Sequence, residues 1–282
     1  MTQSAKKIPS VSVWSQFALS SLSKVSTRKS WVSSCLAAVL IPSLSAPASA
    51  TLEEVVVTAR KTAESLQDTP ISVTALSGDR LEDMGLSRIT KLQNVTPNLV
   101  FQNSPSYSGA GNNAAVYIRG VGQKDFIPTI DPGVGIYVDE VYLGRSAGAV
   151  LDMIDIQQVE ILRGPQGTLF GKNTIGGAIS ITTTKPNEEF GGKFDVKVGT
   201  DERRNVRGVL NVPLSDTLFA RGSFGSLEQD GYVTRPFDGK DLGNQDTLMG
   251  RLALRWAPSD TFTADLSFDY YDDKSNGPAL LV

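Results

Sequence analysis

After residue 186 the sequence changes to a regular alternation of apolar and polar residues. The stretch FTADLSFDY, residues 262–270, shows this clearly, with an apolar residue at every second position. Alternation with a period of two predicts β-strands that have one apolar face and one polar face. Segments of about 10 residues with this pattern are typical of transmembrane β-barrel strands, although a soluble β-sandwich shows the same period.

The connections between these segments favour the membrane barrel. Residues 213–216 and 258–260 form short turns, whereas residues 227–246 form a long loop that is rich in glycine. Short turns on one side of a sheet and long loops on the other are a feature of outer-membrane barrels. The polar face is also densely charged. We therefore expect antiparallel transmembrane β-barrel strands over residues 188–282, with a soluble sandwich as the alternative.

The length of this region predicts an incomplete barrel. Residues 188–282 have room for about five strands, whereas a barrel that encloses a plug takes about 22. Five strands leave two unpaired edges, which lipid does not tolerate because their backbone groups lack hydrogen-bond partners. We expect the chain to be the N-terminal fragment of a longer protein, by truncation of the gene or of the sequence.

The N-terminus has the pattern of an export signal. Residues 1–50 carry five basic and no acidic residues, and an apolar run over residues 31–46 is followed by Ala48, Ser49 and Ala50. This A-x-A site predicts a signal peptide over residues 1–50 that is cleaved after Ala50. The chain is then exported and begins at Thr51.

Composition excludes most catalytic chemistry from the exported chain. The sequence has no histidine, and its one cysteine, Cys35, lies within the predicted signal peptide. Thiol and Ser-His nucleophiles and most zinc, copper and haem sites are therefore excluded, and no cofactor and no metal are expected. Adjacent Asp139 and Glu140 are poor candidates for an acid–base pair, because neighbouring strand residues point to opposite faces. Without residues 1–50 the exported chain has 22 Lys and Arg against 30 Asp and Glu, and this net charge of about −8 argues against a nucleic-acid partner.

Residues 63–187 predict a small α+β domain, because short apolar runs alternate with turn residues. The strand candidates are residues 71–76, 116–120, 135–143 (two strands around a turn at Asp139 and Glu140), 159–163 and 175–184. Residues 78–84 predict a short helix that ends at Gly85, and residues 87–94 predict another that ends before Pro97.

The stretch RGPQGTLFGKNTIGGAIS, residues 163–180, is rich in glycine but is not a phosphate-binding loop. It is one residue too short before Gly171 and Lys172, and Asn173 stands where serine or threonine is needed. A strand-like run follows where a helix is required. The glycines therefore indicate tight turns and close contact with another surface.

A short β-segment and two further motifs together resemble one family. The segment EEVVVTA, residues 53–59, has strong strand propensity and is suited to pairing with the edge of another protein's sheet, with a first strand of the domain as the alternative. It resembles a TonB box, while IRG at 118–120 and VEILRGP at 159–165, followed by LFG at 169–171 and GGAI at 176–179, resemble plug motifs. The chain is identified as a member of the TonB-dependent outer-membrane receptors.

This resemblance implies active import across the outer membrane. A small-molecule substrate, for example an iron–siderophore complex, binds outside, and TonB, energised through ExbB and ExbD, pulls the plug open. The implied domains are the signal peptide 1–50, a TonB box and linker 51–62, the plug 63–187 and barrel strands 188–282, the last in contact with outer-membrane lipid. The residues expected to bind TonB are Glu53, Glu54, Val55, Val56, Val57, Thr58 and Ala59.

The resemblance also implies a clamp between plug and barrel, built around two arginines that each precede a glycine. A guanidinium in a partly buried lumen needs carboxylate partners, and substrate contact is the other reading of these arginines. The expected clamp residues are Arg119, Gly120, Glu160, Arg163, Gly164, Pro165, Gly171, Asn173, Gly176 and Gly177. Substrate contacts are expected from residues 103–113 and 123–132 instead, which are rich in Gly, Ser, Asn and Pro. A soluble exported binding module and a non-functional truncated receptor remain as alternatives.

Overall fold

The computed structural model describes residues 56–58, 61–62, 64–102, 115–123, 131–144 and 153–276. The predicted signal peptide, residues 53–55 and 59 of the predicted TonB box, and most of the predicted substrate loops lie outside these residues. The described residues belong to one compact unit. No helix among them is long and apolar enough to cross a membrane.

Short strands make up most of the first region, as its sequence predicts. The strands that precede residue 186 in the described ranges are β1 (Val56–Val57), β2 (Glu64–Ser65), β3 (Val73–Ser77), β4 (Leu99–Gln102), β5 (Ala115–Ile118), β6 (Val121–Gln123), β7 (Val134–Val138), β8 (Val141–Tyr142), β9 (Ile156–Arg163) and β10 (Gly177–Thr183). Helix α1 (Gly78–Asp83), a 3-10 helix (Ile89–Asn94) and helix α2 (Gly167–Phe170) complete the region. The predicted α+β domain is confirmed.

A five-stranded mixed sheet forms the centre of this domain, in the order β3-β9-β10-β7-β8. Strand β10 pairs antiparallel with β9 and parallel with β7. Both faces of the middle strands are covered: Val159, Ile161 and Ile179 face the cluster that contains the 3-10 helix, and Leu162 and Ala178 belong to a second cluster. Buried residues of β9 and β10 therefore contact apolar clusters on both faces of the sheet.

The helix boundaries follow local chemistry. The Ser77 side chain accepts a hydrogen bond from the Arg80 backbone N–H at the start of α1, and Gly85, with φ of +65°, ends the turn. The second predicted helix is a 3-10 helix that begins at Ile89, two residues later than expected. Ile89 and Leu92, three residues apart, are both fully buried, which matches the three-residue turn of a 3-10 helix.

The second sheet contains five antiparallel strands, the number predicted. They are β11 (Gly191–Val198), β12 (Arg204–Pro213), β13 (Leu218–Gln229), β16 (Gln245–Ser259) and β17 (Phe262–Asp273), and they pair in that order. The long loop between β13 and β16 contains a small hairpin of β14 (Val233–Thr234) and β15 (Asp241–Leu242). The sheet is open, with β11 and β17 as its edges in the described part of the chain.

The two faces of the second sheet are inverted relative to a soluble protein. Polar residues Asn211 and Thr247 are 3% and 1% exposed, whereas apolar residues Leu252 and Phe268 are 54% and 68% exposed. A soluble sandwich would bury the apolar face against its second sheet. An apolar outer face and a polar inner face are expected of strands that face lipid, and the predicted barrel strands are confirmed.

One connection differs from the expected pattern of lengths. Residues 199–203, between β11 and β12, form a short turn on the same side as the long loop, and the Asp230 backbone N–H bonds to the Asp201 carbonyl at 2.8 Å. Asp201 and Glu202 have φ of 57° and 50°, a left-handed conformation that reverses the chain tightly. Short connections therefore occur on both sides of this sheet.

Candidate functional site

The described part of the predicted TonB box lies against the central sheet of the first domain. Strand β1 folds back to pair with β2, and Val57 is 1% exposed. Val57 packs in an apolar cluster with Tyr137, Leu162 and Ala178. The β-branched side chain that favours a strand here also fixes the segment to the domain, since a fully buried valine contributes about 1.5–3 kcal/mol relative to an exposed one.

A buried carboxylate holds the backbone of this segment. Glu160 is 2% exposed, and its Oε1 accepts hydrogen bonds from the Thr58 backbone N–H at 2.6 Å, the Thr58 hydroxyl at 3.1 Å and Gln158 Nε2 at 2.9 Å. Gln158 Nε2 also donates to the Val56 carbonyl at 3.0 Å. Because residues 158 and 160 of β9 are two apart, both side chains lie on the same face of the sheet and reach the same segment.

The environment of Glu160 is unfavourable for its charged form. Burial raises the pKa of the Glu160 carboxyl above its ordinary value, and the hydrogen bonds from Thr58 act in the opposite direction. The second carboxylate oxygen, Oε2, is buried without a hydrogen-bond partner among the described residues. The hydrogen bonds from Thr58 therefore stabilise the buried carboxylate. If Thr58 moved away, the carboxylate would lose these partners, and the charged form would become unfavourable enough to favour protonation.

Lys61 extends the attachment beyond Thr58. Its ammonium group lies 3.5 Å from the Glu140 carboxylate and 4.9 Å from the centre of the Phe170 ring. Tyr137 also holds Phe170 in place, because its hydroxyl donates to the Phe170 carbonyl at 2.6 Å. The segment is thus attached by one apolar side chain, one buried hydrogen-bonded carboxylate and one exposed lysine. These contacts hold the segment in place and do not form a catalytic arrangement.

The predicted clamp residues surround two turns of the first domain. Arg119 and Gly120, with φ of 52° and 79°, form the turn between β5 and β6. A Cβ atom built on Gly164 would lie 3.6 Å from an Arg119 guanidinium nitrogen, so this turn approaches the β9–β10 connection. Arg163 donates to the Val73 carbonyl at 3.4 Å, and its Nε is buried without a partner among the described residues.

The remaining predicted clamp residues shape the chain between β9 and β10. The Gly164 N–H bonds to the Gly176 carbonyl, and the Gly176 N–H bonds to the Gly133 carbonyl. The following positions also belong to this connection or flank it: Glu160, Pro165, Gly171, Asn173 and Gly177. Within the described ranges, no carboxylate lies at salt-bridge distance from Arg119 or Arg163, and their assignment to a clamp stays a prediction.

Other residues make the charged contacts between the first domain and the second sheet. Asp155 bonds to Arg221 of β13, Asp139 bonds to Arg251 of β16, and Lys193 of β11 approaches α1. The sequence placed Asp139 in a turn, beside Glu140, without a partner on the second sheet, and it did not single out Asp155. The sequence did place arginines on the polar face of the alternating segments. If that face is buried, these arginines need acidic partners, and this requirement could have directed attention to the aspartates of the first domain.

Known proteins share this sequence pattern. The model of the TonB-dependent receptor plug domain matches residues 65–178. The pesticin receptor of Yersinia pestis is 34% identical over 73% of this chain, and the chain covers 30% of that receptor. A vitamin B12 transporter of Vibrio vulnificus is 27% identical over 87% of this chain, of which the chain covers 40%.

Solved structures share the fold. The ferric yersiniabactin uptake receptor FyuA from Yersinia pestis matches with a TM-score of 0.63 and 32% identity over 70% of this chain and 30% of its own. The ferripyoverdine receptor of the outer membrane of Pseudomonas aeruginosa matches with a TM-score of 0.63 over 78% of this chain and 27% of its own. Its identity is 18%, so that likeness supports the fold alone. The chain spans about a third of the length of these proteins.

Proposed function

The chain belongs to the TonB-dependent receptors, and from that premise we propose that it serves the energy-coupled import of an iron–siderophore complex across the outer membrane. The observation that carries this proposal is the attachment of the segment Val56–Val57 to the plug sheet. The segment is held mainly by side-chain contacts, and Val56 is half exposed. It can therefore leave the plug and pair as an added strand with the sheet edge of a partner protein.

The proposed partner is TonB, energised by ExbB and ExbD. A pull on the segment first removes Val57 from its apolar cluster and Thr58 from Glu160. The covalent chain then transmits the force to β3, an edge strand of the central sheet that pairs with β9. An edge strand can leave one hydrogen bond at a time while β9, β10 and β7 stay paired, which opens the plug without unfolding its centre.

The proposed substrate class follows from the names of the relatives. FyuA is described as a ferric yersiniabactin uptake receptor, and its identity with this chain is 32%. The vitamin B12 transporter of Vibrio vulnificus is less similar at 27%, which makes cobalamin the second candidate. The predicted substrate loops, residues 103–113 and 123–132, stay proposals for the contact surface, since most of these residues lie outside the described ranges.

The proposed location is the outer membrane, after cleavage of the predicted signal peptide at residue 50. The exposed apolar face of the second sheet supports this location, and it argues against a soluble binding module, which would expose that face to water. We propose a transport role without catalysis, because the relatives are receptors and transporters.

Uptake by isogenic strains tests the proposal. Cells that lack the gene, cells that carry it and cells that carry it without TonB are grown under iron limitation with radiolabelled ferric siderophores, and separately with labelled cobalamin. We expect accumulation of a ferric siderophore only in cells that have both the gene and TonB. Accumulation of cobalamin alone would favour the second candidate, and uptake that is independent of TonB would overturn the proposal.

A further inference from the structure

All the charged contacts between the plug and the second sheet in the described ranges gather at one end of the plug's central sheet. Three strand ends define this end of the sheet: Ser77 of β3, Ile156 of β9 and Thr183 of β10. Thr183 pairs with Ile156, and Ser77 pairs with Gln158, two residues further along β9. The contacts are Asp79 and Glu82 with Lys193, Asp139 with Arg251, Asp155 with Arg221, and Lys185 with Asp265.

The contact between Asp155 and Arg221 has the strongest geometry. Arg221 donates from Nε and Nη2 to the two carboxylate oxygens at 2.7 and 2.6 Å, a bidentate arrangement, and both side chains are largely buried. Asp155 has a left-handed backbone with φ of 54°, and its carbonyl accepts the Thr184 N–H at 2.9 Å. The same residue therefore holds the end of β10 and an arginine of β13.

Asp139 makes the same double connection from the other side of β10. Its carboxylate accepts the Thr183 backbone N–H at 2.9 Å and the Thr183 hydroxyl at 2.7 Å, and it also bonds to Arg251 of β16. The Asp139 N–H in turn bonds to the Ile181 carbonyl at 2.9 Å, with φ of 46° at Asp139. Arg251 also donates a hydrogen bond from Nη1 to the Asp269 carboxylate of β17 at 2.7 Å.

The two arginines are neighbours on the polar face of the second sheet. Arg221 is opposite Ala253 and Ser223 is opposite Arg251, so the arginines occupy diagonal positions across β13 and β16. Attachment at two such points fixes the orientation as well as the position of the end of β10. The coupling segment, in contrast, is attached to the plug itself through Glu160 and Gln158.

We propose that Asp139–Arg251 and Asp155–Arg221 are the fixed anchor of the plug: they hold the end of β10 on the barrel wall while the coupling segment and β3 are displaced. This inference rests on the proposed import function for the source of the force, and on the contacts above for the anchor. Asp139 and Asp155 act as positioning residues for the plug.

Hydrogen exchange in the receptor, as its gene encodes it and in lipid, tests the anchor without any transport. Arg221→Gln and Arg251→Gln should each raise the exchange rates of the Thr183 and Thr184 amides about tenfold or more, with little change at the centre of β9. Arg204→Gln is the matched control, because Arg204 pairs with Glu202 at the far end of β12 and forms no ion pair with the plug residues that the structure describes. Unchanged exchange in both anchor variants would overturn the proposal.

Cross-linking of the folded receptor tests whether the anchor stays closed during import. A short bismaleimide that joins Asp155→Cys to Arg221→Cys should leave TonB-dependent uptake within about twofold of the same variant without reagent. The same reagent between Val56→Cys and Gln158→Cys should abolish uptake, because it ties the coupling segment to β9. Loss of uptake on cross-linking the anchor would contradict a fixed role. If the parent shows no TonB-dependent uptake, the import proposal fails, and hydrogen exchange still reports on the anchor.

Discussion

At the scale of single residues, Glu160 is the group whose charge bears most directly on the coupling segment. Its carboxylate is buried, it accepts the Thr58 N–H, and burial raises the pKa of the Glu160 carboxyl. A carboxyl whose pKa is raised on folding binds its proton more tightly in the folded state. Its proton therefore stabilises the fold at low pH, and this stabilisation is lost as pH rises through the raised pKa.

Comparison of the parent with Glu160→Gln isolates this effect. The amide keeps an oxygen for the Thr58 N–H and carries no charge at any pH. Below the ordinary glutamate pKa of about 4.3 the two proteins should differ by a constant amount, and as pH rises above it the parent should lose stability relative to the variant. Melting temperatures of both proteins between about pH 4 and 8 measure this difference. A difference that is independent of pH, or that favours the parent at higher pH, would contradict it.

Gly177, in the glycine-rich stretch of residues 163–180, tests whether glycine is needed there because the backbone lies close to β9. Its φ is +149°, and a Cβ atom there would lie 2.2 Å from the Leu162 carbonyl oxygen in the neighbouring strand. Because backbone cannot move aside without breaking the pairing of β9 and β10, Gly177→Ala should cost about 2–4 kcal/mol of unfolding free energy. Gly167→Ala is the control, since nothing lies within 4 Å of its added Cβ and the residue begins helix α2. Equal stability of the two variants in denaturant unfolding would show that the space at residue 177 is not limiting.

At the scale of elements, the β1 strand is predicted to separate binding from transport. Val56→Pro removes one backbone donor and restricts φ, which disturbs both the pairing with β2 and any pairing with a partner strand. We expect substrate binding at the parental affinity and loss of uptake. Val56→Ala keeps the donor and should retain transport. Uptake by Val56→Pro at the parental rate would show that the coupling segment lies elsewhere.

The inverted faces of the second sheet predict opposite outcomes for neighbouring positions of β17. Phe268 is on the apolar face, and Ser267, on the other face, is opposite Ala253 of β16. Phe268→Arg should lower the unfolding free energy of the receptor in lipid by about 2–4 kcal/mol, because it places a charge in the hydrocarbon region. Ser267→Arg should cost about 1 kcal/mol or less, since it faces the polar side. Equal losses in guanidinium unfolding from vesicles would contradict the assignment of the faces.

The elements differ in how well sequence alone predicts them. The strands of the second sheet follow from their period of two, and most of β9 and β10 follows from the strand-like runs at residues 159–163 and 175–184. The pairing of β1 with β2 and the hairpin of β14 and β15 have only two residues a strand, too short for any period to be seen. The 3-10 form of Ile89–Asn94 depends on burial of Ile89 and Leu92, which is a tertiary effect.

The candidate site was predicted in part for the same reason. The TonB-box motif identifies Val56, Val57 and Thr58. Glu160 is among the predicted clamp residues, and its contact with Thr58 could not be predicted because the two residues are 102 positions apart in the chain. The anchor aspartates carry no local signature either. Asp139 and Asp155 both have a left-handed backbone, and only their partners on β16 and β13 give them a role.

At the scale of the whole molecule, the charges divide the plug into two parts. One end of the central sheet is bound to the second sheet through acidic plug residues and basic strand residues, among them Asp155 and Arg221. The coupling segment is bound only to the plug in the described ranges, through Glu160 and the cluster around Val57. A force on the segment therefore acts on its contacts within the plug, while the end of β10 is held by the second sheet, as the proposed energy-coupled opening requires.

Cross-linking of the coupling segment to TonB tests the central claim most directly, and it needs no knowledge of the substrate. In the receptor with Val56→Cys, the new thiol lies on a half-exposed residue, and the one cysteine of this sequence, Cys35, lies in the predicted signal peptide. Paired with cysteine variants of TonB in cells, this receptor should form a disulfide-linked complex. Phe237→Cys, at an exposed position of the loop between β14 and β15, should not. Absence of the complex at position 56, while another TonB-dependent receptor in the same cells forms one, would contradict the account.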